Sequence, residues 1–367
     1  MSIVPQTPRK TPFHDATAEL GAQFSELFGS LWPEQFGDLD AEYRAQRTDV
    51  GVMDASPINK WDFRGPDATI AAQRVHTNDI LGEAIGQVRY GAFCNEDGLM
   101  IDDGTVFKLA EDHLWVMTNK DSRADHFADA TRGLDVEITL ITEQLPHLFF
   151  QGPRSRDALR AVTDADVDAL RYFRFLPEPV EVAGVPVWLS RTGVSGELGF
   201  EFFCRADDAP ELLRNVVKLT GARPYGLASI EPVRIEAGVI VTDTDYPENA
   251  YTPYDVSFDR LVNLEREFLG RDRLREVEPK PRRRRLTTLA LLDHELPDYG
   301  TPLSHHGEPG GVLTSPTRSP LAGPIALAVV DAALTAPGTE LELAGGGAAR
   351  VHSSHPAYDP DKKRPRI

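Results

Sequence analysis

The segment from Val88 to Thr118 constrains the fold more than any other. Val88-Arg-Tyr-Gly-Ala-Phe-Cys94 is a β-rich run, Asn95-Glu-Asp-Gly98 a turn, and Leu99 to Lys108 a second run; after another turn comes Leu114-Trp-Val-Met-Thr118. Asp-Gly between apolar runs is a hairpin signature, because the glycine accepts the positive φ of a tight turn. An antiparallel meander is therefore fixed in the first third of the chain. Around it, Asp38 caps a helix through Glu42 and Arg47 that stops at Gly51, and the rest of the first fifty residues reads as helix and turn. Lys60 to Arg64 is a strand, Asp67 to His76 a helix, Asp121 to Arg132 a helix and Val136 to Ile141 a strand.

A second block repeats the style. Leu148 to Gly152 is a strand, and Pro153 to Val162 a helix with proline where a missing N–H costs least. Val180 to Ser190 is a hairpin turning at Ala183-Gly184, Gly199 to Phe203 a strand and Ala209 to Leu219 a helix. Grouped strands and helices of this kind give the α+β class. Glu278-Pro-Lys-Pro-Arg-Arg-Arg-Arg285 then breaks the composition and reads as a linker with a solvated basic edge. Beyond it, short strands rich in Gly, Pro and β-branched residues predict a small β-barrel or sandwich. The chain divides into an αβ region at 1–280, built of two interleaved subdomains, and a C-terminal β-barrel at 285–367.

Composition removes whole classes of function. Lys and Arg number 39 against 57 Asp and Glu, a formal charge of −18 in 367 residues, so the overall field repels nucleic acid and anionic lipid. Two cysteines, Cys94 and Cys204, with no Cys-x-x-Cys, fit a reducing, cytoplasmic compartment. The longest mostly apolar stretch, Leu321 to Leu334, is broken by Gly323, Pro324 and Asp331, so no membrane span is expected. The N-terminal residues Met1 to Lys10 carry no apolar signal core. No dinucleotide fingerprint, phosphate loop, nucleophile elbow or His-Glu-x-x-His is present. His305 and His306 are adjacent, so on a strand they would face opposite ways, and no metal is expected.

Three places carry chemistry. Asp102-Asp103 lies inside a strand, where Asp is disfavoured, and alternation sends one carboxylate to each face. One of them then points toward a core or cavity; the alternative is a bulge with both in water. Glu201 alternates with phenylalanines in Gly199-Phe-Glu-Phe-Phe203, so if these face the core it faces the other side. There it could grip an amidine-like N–H edge, or simply meet solvent. Arg234 sits on a helix ended by Gly238 and either clamps a carboxylate or pairs with a neighbour such as Glu231. Tyr90, Tyr172 and Phe173 are stacking candidates.

These segments, taken in order, resemble the folate-dependent one-carbon transfer superfamily of the glycine-cleavage T-protein and the dimethylsulfoniopropionate demethylase. The resemblance is carried by Thr11-Pro-Phe-His14, Arg47 to Ser56, Tyr90 to Asp103, Gln151-Gly-Pro153, Arg191 to Glu201, Arg234-Ile-Glu-Ala-Gly238, Phe268-Leu-Gly-Arg271 and Thr314 to Pro320. It implies a three-domain ring around a central folate cavity, with 1–280 as the folate-binding region. It implies Asp102 as the catalytic carboxylate, Glu201 as the acid on the pterin, and Tyr90, Asn119, Tyr172 and Phe173 around tetrahydrofolate; Arg234 is the candidate for a substrate or glutamyl carboxylate, or else pairs inside the fold. Where the aminomethyltransferases carry Arg, Tyr and His, this chain has Ile230, Val194 and Pro57. The resemblance therefore implies methyl transfer from a small or aromatic methylated donor to tetrahydrofolate. The alternatives are aminomethyl transfer from a lipoyl carrier protein, and a folate-binding accessory protein without turnover.

Overall fold

A computed structural model describes residues 7–278, 280–293 and 295–367. Met1 to Gln6, part of the segment on which the missing signal core was read, and Pro279 of the linker lie outside the described residues. Two sheets, a hairpin and a barrel make up the strands. The five-stranded sheet runs Val88–Cys94, Met100–Ala110, His113–Thr118, Asn59–Arg64, Glu137–Leu140. The six-stranded sheet runs Val180–Val182, Val185–Ser190, Gly199–Phe203, His147–Gln151, Gly51–Asp54, Arg223–Pro224. The last segment closes a six-stranded barrel from Arg284 to Val351, so the expected α+β class and C-terminal barrel are both found.

One expectation fails near the start. Gln23–Leu27 and Ser30–Gln35 form an antiparallel hairpin where helix and turn were expected. Its two-residue turn is Phe28-Gly29, with φ of 51° and 70°. A phenylalanine in that left-handed region is uncommon, so the sequence carried no ordinary turn signal there. The helix capped by Asp38 does form, over Leu39–Thr48, with the Asp38 carboxylate accepting from the Ala41 N–H at 3.0 Å. His305 and His306 do not face opposite ways. His306 has already left the strand at φ 53°, and the two rings lie 4.1 Å apart.

The two sheets pack through one face each. On the five-stranded sheet, Trp61, Phe63, Phe93 and Val116 face helix Ala68–Val75 and Phe127, while Val88, Phe107, Trp115 and Met117 face the other way. That second face meets Phe203 and Phe175 from the region of the six-stranded sheet. On the six-stranded sheet, Phe200 and Phe202 enter the large core with Val52, Phe150 and Leu189, so Glu201 and Phe203 turn toward the junction. The barrel is buried on both sides. Leu289, Ala326, Ala328 and Val330 fill its interior, while Ile325, Leu327 and Val329 pack on Ala92, Met100 and Tyr246.

Charged residues stitch the parts together. Arg47 reaches Glu236 at 2.8 and 2.6 Å and donates to the Ser195 and Val233 carbonyls; Tyr43 and Ser319 of the barrel also donate to Glu236. The basic linker is used the same way. Arg282 and Arg285 both pair with Asp259, and Arg282 lies 4.0 Å over the Tyr254 ring.

Candidate functional site

Asp102 and Asp103 share a strand but not an environment. Ala92 stands opposite Asp103 and Phe93 opposite Asp102, so the carboxylates leave the sheet on opposite faces. The residue after them must be glycine, because a Cβ on Gly104 would lie 1.9 Å from the Met117 carbonyl oxygen.

Asp102 is fully buried and saturated with donors. Its oxygens accept from the Asp103 N–H at 2.9 Å, Asn119 Nδ2 at 2.8 Å, the Asn119 and Lys120 N–H groups, and Arg123 Nε at 3.1 Å. Burial pushes its carboxyl up, and the Arg123 charge opposes that. Arg123 continues to Glu248 at 2.6 Å, where Lys120 also lands.

Asp103 faces Tyr90 and Tyr246. Tyr90 donates to one oxygen at 2.7 Å and Tyr246 donates to the other. Burial and then the neighbouring Asp102 charge push its carboxyl up to about 7, against the two tyrosine hydrogen bonds; Asp245 adds to the rise. A carboxyl pushed up toward neutrality is suited to acid–base work, and the two differ in their partners: Asp103 meets tyrosine hydroxyls, while Asp102 is tied to Arg123 and Asn119.

Glu201 lies in a row with Ser190, Phe149 and Met53 across one face of the six-stranded sheet. Phe149 and Met53 belong to an apolar wall with Tyr225 and Ile230, against which Val194 packs. Burial pushes Glu201 up to about 7, opposed by a hydrogen bond from Thr192 and the Lys60 charge. His147 Nε2 stands 3.7 Å from Glu201 Oε2, and its ring stacks on Phe203. Neither ring nitrogen of His147, nor the buried Tyr225 hydroxyl, has a hydrogen-bond partner among the described residues.

The loop around Glu201 explains a run of glycines. Gln151 donates to the Thr192 and Phe200 carbonyls and accepts from the Ser195 hydroxyl. A Cβ on Gly193 or Gly199 would lie within 2.1 or 2.3 Å of its amide oxygen. The Gln-Gly-Pro and Arg-Thr-Gly-x-Ser-Gly segments are thus one packing unit.

The expected residues sort as follows. Tyr90 is brought to Asp103, and Asn119 to Asp102. Tyr172 stands edge-on to Phe173 at 4.7 Å, half-buried, and feels the Glu201 charge. Arg234 is the correction. All five of its N–H groups are spent inside the fold, on Glu231, Asp245, Ser315 and the Val239 carbonyl. No donor remains for a substrate carboxylate, and the neighbour-pairing alternative with Glu231 is the one found. Sequence reading missed Tyr246 and Arg123, which have no local pattern, and Lys60. Lys60 did have a signal, since it alternates with Trp61 and Phe63, but a lysine there reads as solvent-facing.

Against known proteins, residues 13–266 match the family profile "GCVT N-terminal domain", and 284–359 match "Glycine cleavage T-protein C-terminal barrel domain". The aminomethyltransferase of Rubrobacter xylanophilus is 35% identical over 327 residues, 88% of this chain and 87% of that protein. The Listeria monocytogenes aminomethyltransferase is 32% identical over 339 residues, 91% and 93% of the two chains. The crystal structure of the glycine cleavage system aminomethyltransferase T from Bartonella henselae superimposes with a TM-score of 0.86 at 23% identity, covering 96% of this chain and 98% of that one.

Proposed function

From the premise that this chain belongs to the glycine-cleavage T-protein family of folate-dependent one-carbon transferases, we propose that it is an aminomethyltransferase. It takes the carbon of an aminomethyl group from the sulfur of a lipoyl carrier protein. The carbon–sulfur and carbon–nitrogen bonds break, and the carrier leaves as its free thiol and the nitrogen as ammonia. The two folate nitrogens, giving up their protons, hold the carbon as 5,10-methylenetetrahydrofolate. The curated relatives support this reading over the methyl-donor reading that the departures at Ile230, Val194 and Pro57 favoured.

The observation that carries it is Asp103, a buried carboxyl held between two tyrosine hydroxyls and pushed up by burial and by the Asp102 charge. Breaking the carbon–nitrogen bond needs a proton delivered to the leaving amine, and Asp103 can hold one in water-poor surroundings. Asp102, with Asn119 and Arg123, acts as the rigid base of that strand. Its charge raises Asp103 and its donors stop the strand from shifting.

The residues present fit tetrahydrofolate. Glu201 offers two oxygens to adjacent N–H groups of a pterin, and the unpartnered Tyr225 hydroxyl and His147 ring are further polar atoms beside it. Tyr172 and Phe173 supply aromatic edges. When bound, tetrahydrofolate supplies the nitrogens that take up the carbon. The protein's task is to align donor and acceptor and exclude water, so most of the rate enhancement comes from positioning.

A second reading remains, transfer from a small methylated donor. It is favoured by the apolar wall, in which Ile230 and Val194 stand beside Glu201's side of the sheet. Calorimetry of tetrahydrofolate with wild type and Glu201→Ala tests what both share. Binding that Glu201→Ala weakens at least about tenfold, the order of one lost charged hydrogen bond, supports the site. Folded wild type that does not bind removes it.

A further inference from the structure

We propose that Tyr246 is a positioning residue for Asp103: its hydroxyl claims one carboxylate oxygen permanently, so the acid takes up and gives up its proton only at the other, beside Tyr90. The inference deepens the reading of Asp103 given above and rests on it.

The two phenols share the carboxylate between them. Tyr246 donates to Oδ1 and Tyr90 to Oδ2, the latter at 2.7 Å. Burial pushes both phenols up, so each keeps its hydrogen. They differ in what lies around them. Tyr246 has no exposed surface and sits in the apolar cluster with Ala92, Met100, Ile325, Leu327 and Val329. Tyr90 is only partly buried, its ring edge-on to Phe258 at 5.5 Å.

That difference decides where the proton goes. A neutral carboxyl donates its hydrogen, and a phenol that receives it must turn its own O–H elsewhere. Tyr90 can turn toward its open side. Tyr246 would turn into apolar side chains and leave a buried donor unsatisfied. The proton therefore enters at Oδ2, and Tyr246 goes on donating to Oδ1 in both states.

The barrel holds Tyr246 in place. Its neighbour Asp245 accepts from Arg234 at 2.7 Å, from the Val241 N–H at 2.9 Å, and from the Thr314 and Ser315 hydroxyls at 2.6 Å each. Thr314 and Ser315 belong to the barrel strand Glu308–Ser319. The Tyr246 carbonyl accepts from the Asp243 N–H at 2.9 Å. Besides burial, the charges that bear on Asp103 are Asp102 from its own strand and Asp245 from the Tyr246 segment, and both push its carboxyl up.

The test is a ¹³C NMR titration of the aspartate carboxyls in the ligand-free protein, with Asp103→Asn identifying the resonance. Tyr246→Phe removes only the hydroxyl and should raise the Asp103 midpoint by about one pH unit, since the lost bond favours the charged form. Tyr90→Phe should move it less, because Tyr90 serves the carboxylate as donor and the neutral acid as acceptor. Fluorotyrosine in place of Tyr246 keeps the ring and donates more strongly, so it should lower the midpoint. In turnover with tetrahydrofolate, the alkaline limb of the kcat profile should move upward in Tyr246→Phe by the same amount, with KM little changed. A ring that only packs would move neither. An unmoved midpoint in folded Tyr246→Phe or in the fluorotyrosine protein overturns the inference, as does a shift in Tyr90→Phe as large as that in Tyr246→Phe. The parent reading fails separately, if Asp103→Asn turns over as wild type does.

Discussion

Asp102 and Asp103 are consecutive in one strand, yet Asp102 is locked by Arg123 and Asn119 while Asp103 meets only tyrosine hydroxyls on its side chain. On the proposed reading, Asp103 handles the proton and Asp102 holds the strand. Asp103→Asn should lower kcat by about 10²–10⁴, the usual worth of a positioned acid or base, with the melting temperature little changed. Asp102→Asn should instead unsettle the fold, because Arg123 loses a buried countercharge, a change on the order of 3–5 kcal/mol. Steady-state kinetics and thermal unfolding on both variants separate the roles; equal kinetic losses at unchanged stability would make them interchangeable.

The pH dependence of ligand binding has a definite sign. Glu201 grips N–H donors only as a carboxylate, and burial has pushed it up to about 7. Tetrahydrofolate affinity should therefore be highest above pH 7 and fall by up to about tenfold per unit below it. Calorimetry at pH 6, 7 and 8 reads this directly, and a flat profile speaks against Glu201 as the gripping group.

Stability should show the opposite slope from Asp103. Its folded carboxyl sits near 7, above the ordinary value of 3.8, so the folded chain binds the extra proton between those limits. This contribution is fully present below the unfolded value and is lost as pH rises through 7. Urea titrations of wild type from pH 5 to 8 should show that decline, and Asp103→Asn should flatten it.

Arg234 should behave as a structural ion. With all its donors on Glu231, Asp245, Ser315 and Val239, Arg234→Gln leaves the buried Asp245 without its countercharge, held only by the Val241 N–H and the Thr314 and Ser315 hydroxyls, at a cost of up to about 3–5 kcal/mol. Below its melting temperature the variant should keep a wild-type KM. A large rise in KM at intact stability would return Arg234 to the substrate.

Much of this was legible in the sequence, for local reasons. The Val88 to Thr118 meander announced itself through Asp97-Gly98, and Glu201's direction followed from the alternation of Phe200 and Phe202. The barrel was readable from its Gly-, Pro- and β-branched-rich composition, although Arg284–Leu291, Glu308–Ser319 and Gly323–Asp331 are longer strands than expected and the shared apolar face toward Tyr246 was not foreseen. What escaped reading depended on contacts distant in the chain. Tyr246 meets Asp103 across 143 residues, and Arg47 meets Glu236 across 189. Arg234 was misassigned because a helical arginine looks the same whether its partners come from its own helix or from a barrel strand. The Phe28-Gly29 hairpin was missed because its turn uses a residue that seldom accepts positive φ.

One reaction separates aminomethyl transfer from methyl transfer. The purified protein is mixed with a lipoyl carrier protein bearing the aminomethyl group and with tetrahydrofolate, and ammonia and 5,10-methylenetetrahydrofolate are measured together. An aminomethyltransferase forms both products in equal amounts, dependent on the carrier, and loses both in Asp103→Asn. No carrier-dependent product, together with 5-methyltetrahydrofolate formed from a methylated small molecule, would contradict that reading.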